Sequence, residues 1–236
     1  MVRTIWIGDV HGCAHELGSL LGEIGPTEGD QVVFVGDLVA RGPDTRGVLR
    51  IAREVSALAV RGNHEHRLLL AHQARKKGER GPRLGSSHEA LLRELDDEEW
   101  AQLEAMPLSL EFPSHNVRVV HAGVAPGVPF EEQQAWTLLH IRSLTGRGAP
   151  SDRYSEVSWA KSYAELPHIV FGHNAQAGLQ LETHATGLDT ACVYGGRLTA
   201  LVLSDNQSPP PPASRMDCIV SVKAAARYVG YGPRAE

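Results

Sequence analysis

Gly8-Asp9-Val10-His11-Gly12, Gly36-Asp37-Leu38-Val39-Ala40-Arg41-Gly42 and Gly62-Asn63-His64-Glu65 are the phrases whose reading decides the fold. Each follows a run of apolar or β-branched residues. The intervals match, with 28 positions from Asp9 to Asp37 and 26 from Asp37 to Asn63. That interval fits one strand, one helix and the start of the next strand. Each phrase then closes a parallel strand at its carboxyl end, where ligand sites in open α/β sheets lie. One sheet edge gathers two Asp, two His, one Asn and one Arg, a set that folding alone does not require. It reads as a site for divalent metal and phosphate.

Around these phrases the pattern alternates strand and helix. Residues 4–8 form the first strand, followed by a helix over 14–24 with Leu17, Leu20, Leu21 and Ile24 at helical spacing, ended by Gly25-Pro26. Residues 31–36 read as a strand covered on both faces. Pro43-Asp44 opens a helix that buries Val48, Leu49, Ile51 and Ala52. A third strand is expected over 57–61 and a helix after Asn63, dissolving into a solvated basic stretch at 75–81. Ser86 or Ser87 is expected to cap one helix running to about Leu95, and Asp96 another over 98–106. Together these make a helical insert at about 76–106. Further on, a strand over 117–120 ends at His121-Ala122-Gly123, a helix covers 131–144, and a polar loop covers 145–155. A strand over 169–171 ends at Gly172-His173-Asn174, and antiparallel strands cover 188–192 and 196–204. The expected organisation is a catalytic domain over 1–206, then 207–236 as a Pro-rich linker, one last strand over 218–222 and a mobile tail.

A chain of 236 residues can bury the full core of one generous domain. The net charge of −5 gives no basic field for non-specific binding to nucleic acid. Cys13, Cys192 and Cys218 are far apart and form no Cys-x-x-Cys, so neither a disulfide framework nor a thiolate zinc site is expected. No apolar run reaches membrane-spanning length, and the first strand starts too early for a signal peptide. The expected location is the cytoplasm; the oligomeric state is not legible. Among twelve His, only His11, His64, His121 and His173 follow strand-like runs in Gly-rich turns. The other eight, His88 and His140 among them, read as surface or hydrogen-bonded residues.

Asp9-x-His11 sets two donors on alternate residues of a tight turn, so both can face one ion. Asp37 has two oxygens and can bridge two ions, while Asn63, His121 and His173 add neutral donors from other strand ends. Two carboxylates, three imidazoles and an amide suit two Mn²⁺-like ions roughly 3.5–4 Å apart, the spacing of two-metal phosphoryl-transfer sites. Co²⁺, Fe²⁺ and Mg²⁺ accept the same donors. Such ions can hold a hydroxide between them and polarise the phosphoryl oxygens it attacks. Arg41, in the Asp37 loop, is placed to neutralise transition-state charge, and His64 to act as general acid.

These residues resemble the metallophosphoesterases, and within them the phosphoprotein phosphatase superfamily, from Trp6 to about Leu203. The resemblance implies an α/β sandwich of two stacked mixed β-sheets flanked by helices. It also implies a first metal on Asp9, His11 and Asp37 and a second on Asp37, Asn63, His121 and His173. His64 looks like the proton donor and Arg41 like the phosphate clamp. Substrate contacts are expected from Arg41, Asn63, Arg142 and Tyr194, since Tyr194-Gly195-Gly196 falls where the family often sets an aromatic over the metals. Protein Ser/Thr phosphatases usually carry an Asp, supporting the proton donor, where this chain has Ala40. The phrase Gly-Asp-Leu-Val-Ala-Arg-Gly-Pro, and the segment from Leu188 to Thr199, resemble the bacterial symmetrical diadenosine tetraphosphatases. Glu65, in contrast, is the protein-phosphatase residue at its position. The expected reaction is symmetrical cleavage of diadenosine tetraphosphate into two ADP, with an unsupported His64 sufficing for so weak a leaving base. The alternatives are a Ser/Thr protein phosphatase or broad phosphomonoesterase on the same site and, from another class, an inactive nucleotide sensor.

Overall fold

In the first strand, β1 (Arg3–Ile7), Ile5 and Ile7 face one apolar layer and Trp6 the other. This is the two-residue period of a strand buried on both faces. The computed structural model describes residues 2–155 and 157–230. After β1 come α1 (Ala14–Ile24), β2 (Gln31–Phe34), α2 (Thr45–Glu54), β3 (Leu58–Ala59) and α3 (Asn63–Lys77). The insert carries α4 (Ser86–Glu94) and α5 (Asp97–Glu104), followed by β4 (Ser109–Phe112), β5 (Val117–Val120) and α6 (Ala135–His140). Then follow β6 (Ser143–Leu144), β7 (Pro150–Ser151), α7 (Trp159–Ser162), β8 (His168–Phe171), β9 (Gln180–Glu182) and β10 (Ala185–Gly187). The described chain closes with β11 (Arg197–Ser204), α8 (Pro212–Arg215) and β12 (Ile219–Lys223).

The strands form two mixed five-stranded sheets, ordered β12-β11-β1-β2-β3 and β4-β5-β8-β10-β9, and a small β6–β7 hairpin. β1, β2 and β3 are parallel to one another, as are β5, β8 and β10. Trp6, Val33, Val35 and Val60 meet Val117, Val119 and Val170 in the layer between the sheets. Leu17 and Leu20 of α1, Val48 and Leu49 of α2, and Leu91, Trp100 and Leu103 of the insert cover the first sheet from outside. Leu138 and Trp159 cover the second, against Ile169 and Phe171. All five parallel strands that precede an expected donor therefore point their carboxyl ends to one edge of the sandwich.

Several elements differ from the sequence expectation. The helix over 131–144 shrinks to α6, because Gln133 spends its amide on the backbone of Ala125 and Val128, and Ser143–Leu144 is drawn into β6. The polar loop after it contains β7. In place of a strand over 188–192 there is a turn, with Ala191 at φ 63° and only one bridge to Arg197. The β9–β10 hairpin and β4 were not anticipated. Gly85, not Ser86 or Ser87, precedes α4 and gives no side-chain cap. Asp96 does cap α5, accepting from the Glu99 N–H at 3.0 Å while Glu99 accepts from the Asp96 N–H at 3.1 Å.

The C-terminal segment joins the same body. β12 adds to the first sheet beside β11, and Arg215, fully buried, donates to the carbonyls of Glu182, Ala185 and Pro210. Residues 224–230, expected as part of a loose tail, are held because the Ala225 N–H and the Tyr228 hydroxyl both donate to Glu16 Oε1 at 2.9 Å. The remainder of that tail, 231–236, lies outside the described residues. Cys13 and Cys192, remote in sequence, meet Glu16 in a buried group whose ligand atoms lie within 4.8 Å of one another. No helix among the described residues is long and apolar enough to cross a membrane.

Trp6 is the largest side chain of the inter-sheet layer, with Phe112 and His115 set edge-on at 5.6 and 5.1 Å. Trp6→Ala is expected to cost about 3–5 kcal/mol in urea unfolding, the range for a buried aromatic whose cavity cannot collapse. A cost below about 1 kcal/mol would show that the sheets close up over the gap.

Candidate active site

Several of the motif residues sit in loops that the backbone closes only with unusual torsions. His11, Asp37, Ala40, Arg41 and His173 all have positive φ, between 47° and 68°. Such strain in non-glycine residues persists only where the surroundings over-determine it. Glycine is required where a side chain comes close: a Cβ on Gly62 would lie 2.2 Å from Asp37 Oδ1, and one on Gly172 would lie 1.9 Å from Asp9 Oδ1. The first two loops are laced together, with the N–H groups of Val10 and His11 donating to Asp37 O and that of Gly12 to Leu38 O. Glu65, in the first turn of α3, accepts from the N–H groups of Gly62, Asp37, Leu38 and Val39 at 2.8–3.0 Å. The His64 N–H donates to Asp37 Oδ1 at 3.0 Å, and the His173 N–H donates to both Asp9 oxygens.

The three strand-end imidazoles each spend one ring N–H on a backbone carbonyl. His11 Nδ1 donates to Val39 O, His121 Nδ1 to Val35 O and His173 Nε2 to His140 O. The remaining nitrogens turn inward. His11 Nε2 lies 3.5 Å and His121 Nε2 3.4 Å from Asp37 Oδ2. Asn63 Oδ1 lies 3.0 Å from both His121 Nε2 and His173 Nδ1. Acceptors thus face acceptors in a buried space, which calls for positive charge between them. Two groups, His11–Asp37–His64 and Asp37–His121–His173, share Asp37.

The protein supplies positive charge at both. Arg41 Nη1 donates to His11 Nε2 at 3.1 Å. On the other side burial opposes a charge on His121, yet the Asp37 carboxylate, then Asp9, lifts its pKa to about 9. Burial, then the Arg41 guanidinium, brings His11 down to about 4. Burial likewise pushes His64 and His173 well below the ordinary range, while the Asp37 carboxylate pulls both the other way. Asp37 stays well below the usual carboxylate range, since His121 and His64 outweigh its burial. This donor set fits divalent ions.

The other expected residues lie around this core. The Arg41 guanidinium stands 5.7 Å from the Tyr194 ring centroid, and its buried Nε has no hydrogen-bond partner among the described residues. Arg142 donates to Asp152 O, while its charge is felt at His173 and Tyr194. Three residues were missed as parts of the site. Glu65 was read only as a family variant, although Glu at the third position of a helix is a capping signal. Asp189, buried beside Asp9 and Asp37 and pushed by burial to about 6, lay in a segment quoted only for its resemblance. His88 was set aside with the other scattered His, and it lies with Nε2 3.1 Å from His64 Nδ1. His64 is therefore not the unsupported side chain that Ala40 implied.

The model of the calcineurin-like phosphoesterase family matches residues 2–204, which contain every donor above. The chain belongs to that family. Its fold is the metallophosphoesterase sandwich, and membership implies divalent metal ions and hydrolysis of phosphoesters. Among curated relatives it is 30% identical over 214 residues to bis(5'-nucleosyl)-tetraphosphatase PrpE (asymmetrical) of Oceanobacillus iheyensis, covering 82% of this chain and 86% of that one. It is 28% identical over 237 residues to the protein of that name from Bacillus thuringiensis, covering 88% and 93%. Among solved structures, a proposed diadenosine tetraphosphatase superposes with a TM-score of 0.80 at 32% identity, covering 94% of both chains. A Saccharomyces cerevisiae protein serine/threonine phosphatase, at 17% identity and a TM-score of 0.58 over 98% of this chain and 82% of its own, shares the fold.

A proton on His121 competes with metal. Because its pKa is raised from 6.5 to about 9, the imidazolium contributes stability fully below about pH 6.5, and that contribution is lost as pH rises through 9. The melting midpoint of EDTA-treated protein is expected to fall across this window. Mn²⁺ should restore it and release protons on binding, as read by unbuffered titration calorimetry. A midpoint indifferent to both pH and Mn²⁺ would contradict the assignment of this cluster.

Proposed function

We propose that this chain hydrolyses dinucleoside tetraphosphates, with two divalent ions held by Asp9, His11, Asp37, Asn63, His121 and His173. The observation that carries this reading is the pair of buried groups sharing Asp37, His11–Asp37–His64 and Asp37–His121–His173, to which the sequence motifs add Asp9 and Asn63. Mn²⁺ is the ion of choice, because mixed carboxylate, amide and imidazole donors suit an intermediate metal. When bound, such ions activate an attacking water and draw charge from the phosphoryl oxygens.

The residues of the chain do the rest. Arg41, whose guanidinium lies between His11 and the Tyr194 ring, binds the phosphoryl oxygens. His64 delivers a proton to the leaving oxygen. Asn63, Arg142 and Tyr194 flank the phosphate chain. Glu65 and Asp189 stay behind the donors and hold the loops.

The names of the relatives support diadenosine tetraphosphate as substrate and favour asymmetrical cleavage, into ATP and AMP. The Gly-Asp-Leu-Val-Ala-Arg-Gly-Pro phrase favours the second reading, symmetrical cleavage into two ADP. Both use the same donors and differ only in which phosphorus lies against them.

Chromatography of the products under Mn²⁺ separates these readings. ATP with AMP is the expected result; two ADP would establish the symmetrical cut. Turnover of a phosphopeptide with no nucleotide released would overturn the proposal. Asp37→Ala is expected to abolish turnover and to empty both ion positions, measured as metal content per chain.

A further inference from the structure

We propose that His88, carried by α4 of the insert, is the positioning residue for His64, filling the part that a carboxylate at position 40 would otherwise take. The inference rests on the reading of His64 as proton donor given above. His64 Nδ1 and His88 Nε2 approach to 3.1 Å, and the rings stack with centroids 4.9 Å apart at 17°. Both residues are buried, so their polar atoms need defined partners.

The direction of the hydrogen bond follows from the role. His64 Nδ1 and His88 Nε2 share one hydrogen bond, and with the proton on His64 Nδ1 the other nitrogen, Nε2, is left to face the substrate. In this arrangement His88 Nε2 is the acceptor. The contact fixes the plane of His64 and leaves Nε2 as the nitrogen that transfers the proton. The His11 ring lies edge-on to His64 with centroids 4.8 Å apart, and the His64 backbone N–H is held by Asp37 Oδ1. The ring is thus constrained from three sides.

A neutral imidazole does this without adding negative charge. A carboxylate placed beside Arg41 would compete with substrate phosphates for its guanidinium. Ala40 keeps that place apolar: it is buried, and its N–H donates to Thr45 Oγ1 at 3.1 Å. The insert is also rigid enough to position a side chain. Leu91 and Leu95 enter the same core as α1 and α2, and the Arg46 Nε–H donates to Glu99 of α5 at 2.8 Å. The insert therefore delivers His88 from a packed helix, which holds a functional group more closely than a loop does.

The test compares full-length wild type, His88→Ala and His88→Gln, the last keeping an acceptor near the place of Nε2. With Mn²⁺ and aryl phosphates, His88→Ala is expected to lower kcat with KM nearly unchanged. The loss should be roughly 10–100-fold for phenyl phosphate, part of what general-acid assistance contributes, and only about threefold for p-nitrophenyl phosphate, whose leaving group needs little protonation. His88→Gln should recover most of the phenyl phosphate rate. Independently of turnover, ¹⁵N-histidine spectra of the Mg²⁺-loaded wild type should show His64 protonated at Nδ1, with that preference lost in His88→Ala. A His64 Nδ1 without its proton in the wild type overturns the proposal, as do equal losses on the two aryl phosphates. Absence of diadenosine tetraphosphate cleavage would refute the proposed substrate while leaving the aryl phosphate and spectral results to decide the role of His88.

Discussion

The carboxylate of Glu65 holds together the parts on which the site depends. Four backbone N–H groups converge on its two oxygens, three from the Asp37 loop and one from Gly62 at the start of α3. A hydrogen bond to a charged group contributes about 1.5–3 kcal/mol, and a buried N–H left without a partner costs about as much. The loop after β2 therefore cannot relax out of the left-handed torsion at Asp37 without orphaning several donors at once. Burial, with the Asp37 charge, pushes Glu65 itself up to about 7, against the pull of its backbone donors. The site accepts that cost because Glu65, together with the His64 N–H that donates to Asp37 Oδ1, ties the second sheet-end loop to the helix that brings Asn63 and His64.

Charge balance is the second constraint. Asp9, Asp37, Glu65 and Asp189 are all buried near one another, and His121 and Arg41 are the cations that face them. Burial pushes Asp9 well above its ordinary range, with Asp189 and Asp37 adding to it, while His121 pulls the other way. Such a group of acids is unstable as a core and reasonable as a cation site. The same logic explains why three imidazoles are pinned by carbonyls: a ligand nitrogen must be presented in one tautomer and one plane.

The insert and the C-terminal segment read in the sequence as additions to a catalytic body, yet both are built into it. α4 and α5 lie in the core that covers the first sheet, and His88 reaches from α4 to His64. At the other end, Glu16 fastens residues 225 and 228 to the helix that follows the Asp9 loop. Cys13 and Cys192 meet at that fastening point.

The strands ending at Asp9, Asp37, His121 and His173 were legible in the sequence because their signals are local. An apolar run, a glycine that lets a carboxylate approach the backbone, and a donor just after it lie within a few residues of one another. The periodicity of α1 and the cap of α5 were readable for the same reason. The short elements β4, β9 and β10, and the truncation of α6, were not, since residues of middling propensity there take the form that pairing partners and the side chain of Gln133 impose. The supporting residues were hidden in another way. His88 and Glu16 sit on ordinary helices, where nothing in the helical period distinguishes a ligand-facing position from a core or surface one. Their roles depend on partners 24 and more than 200 residues away. The sequence by itself determined which donors surround the site, because each donor is announced by its own strand end. Only the tertiary structure decided what holds them, because packing alone chooses which face of a helix meets which loop.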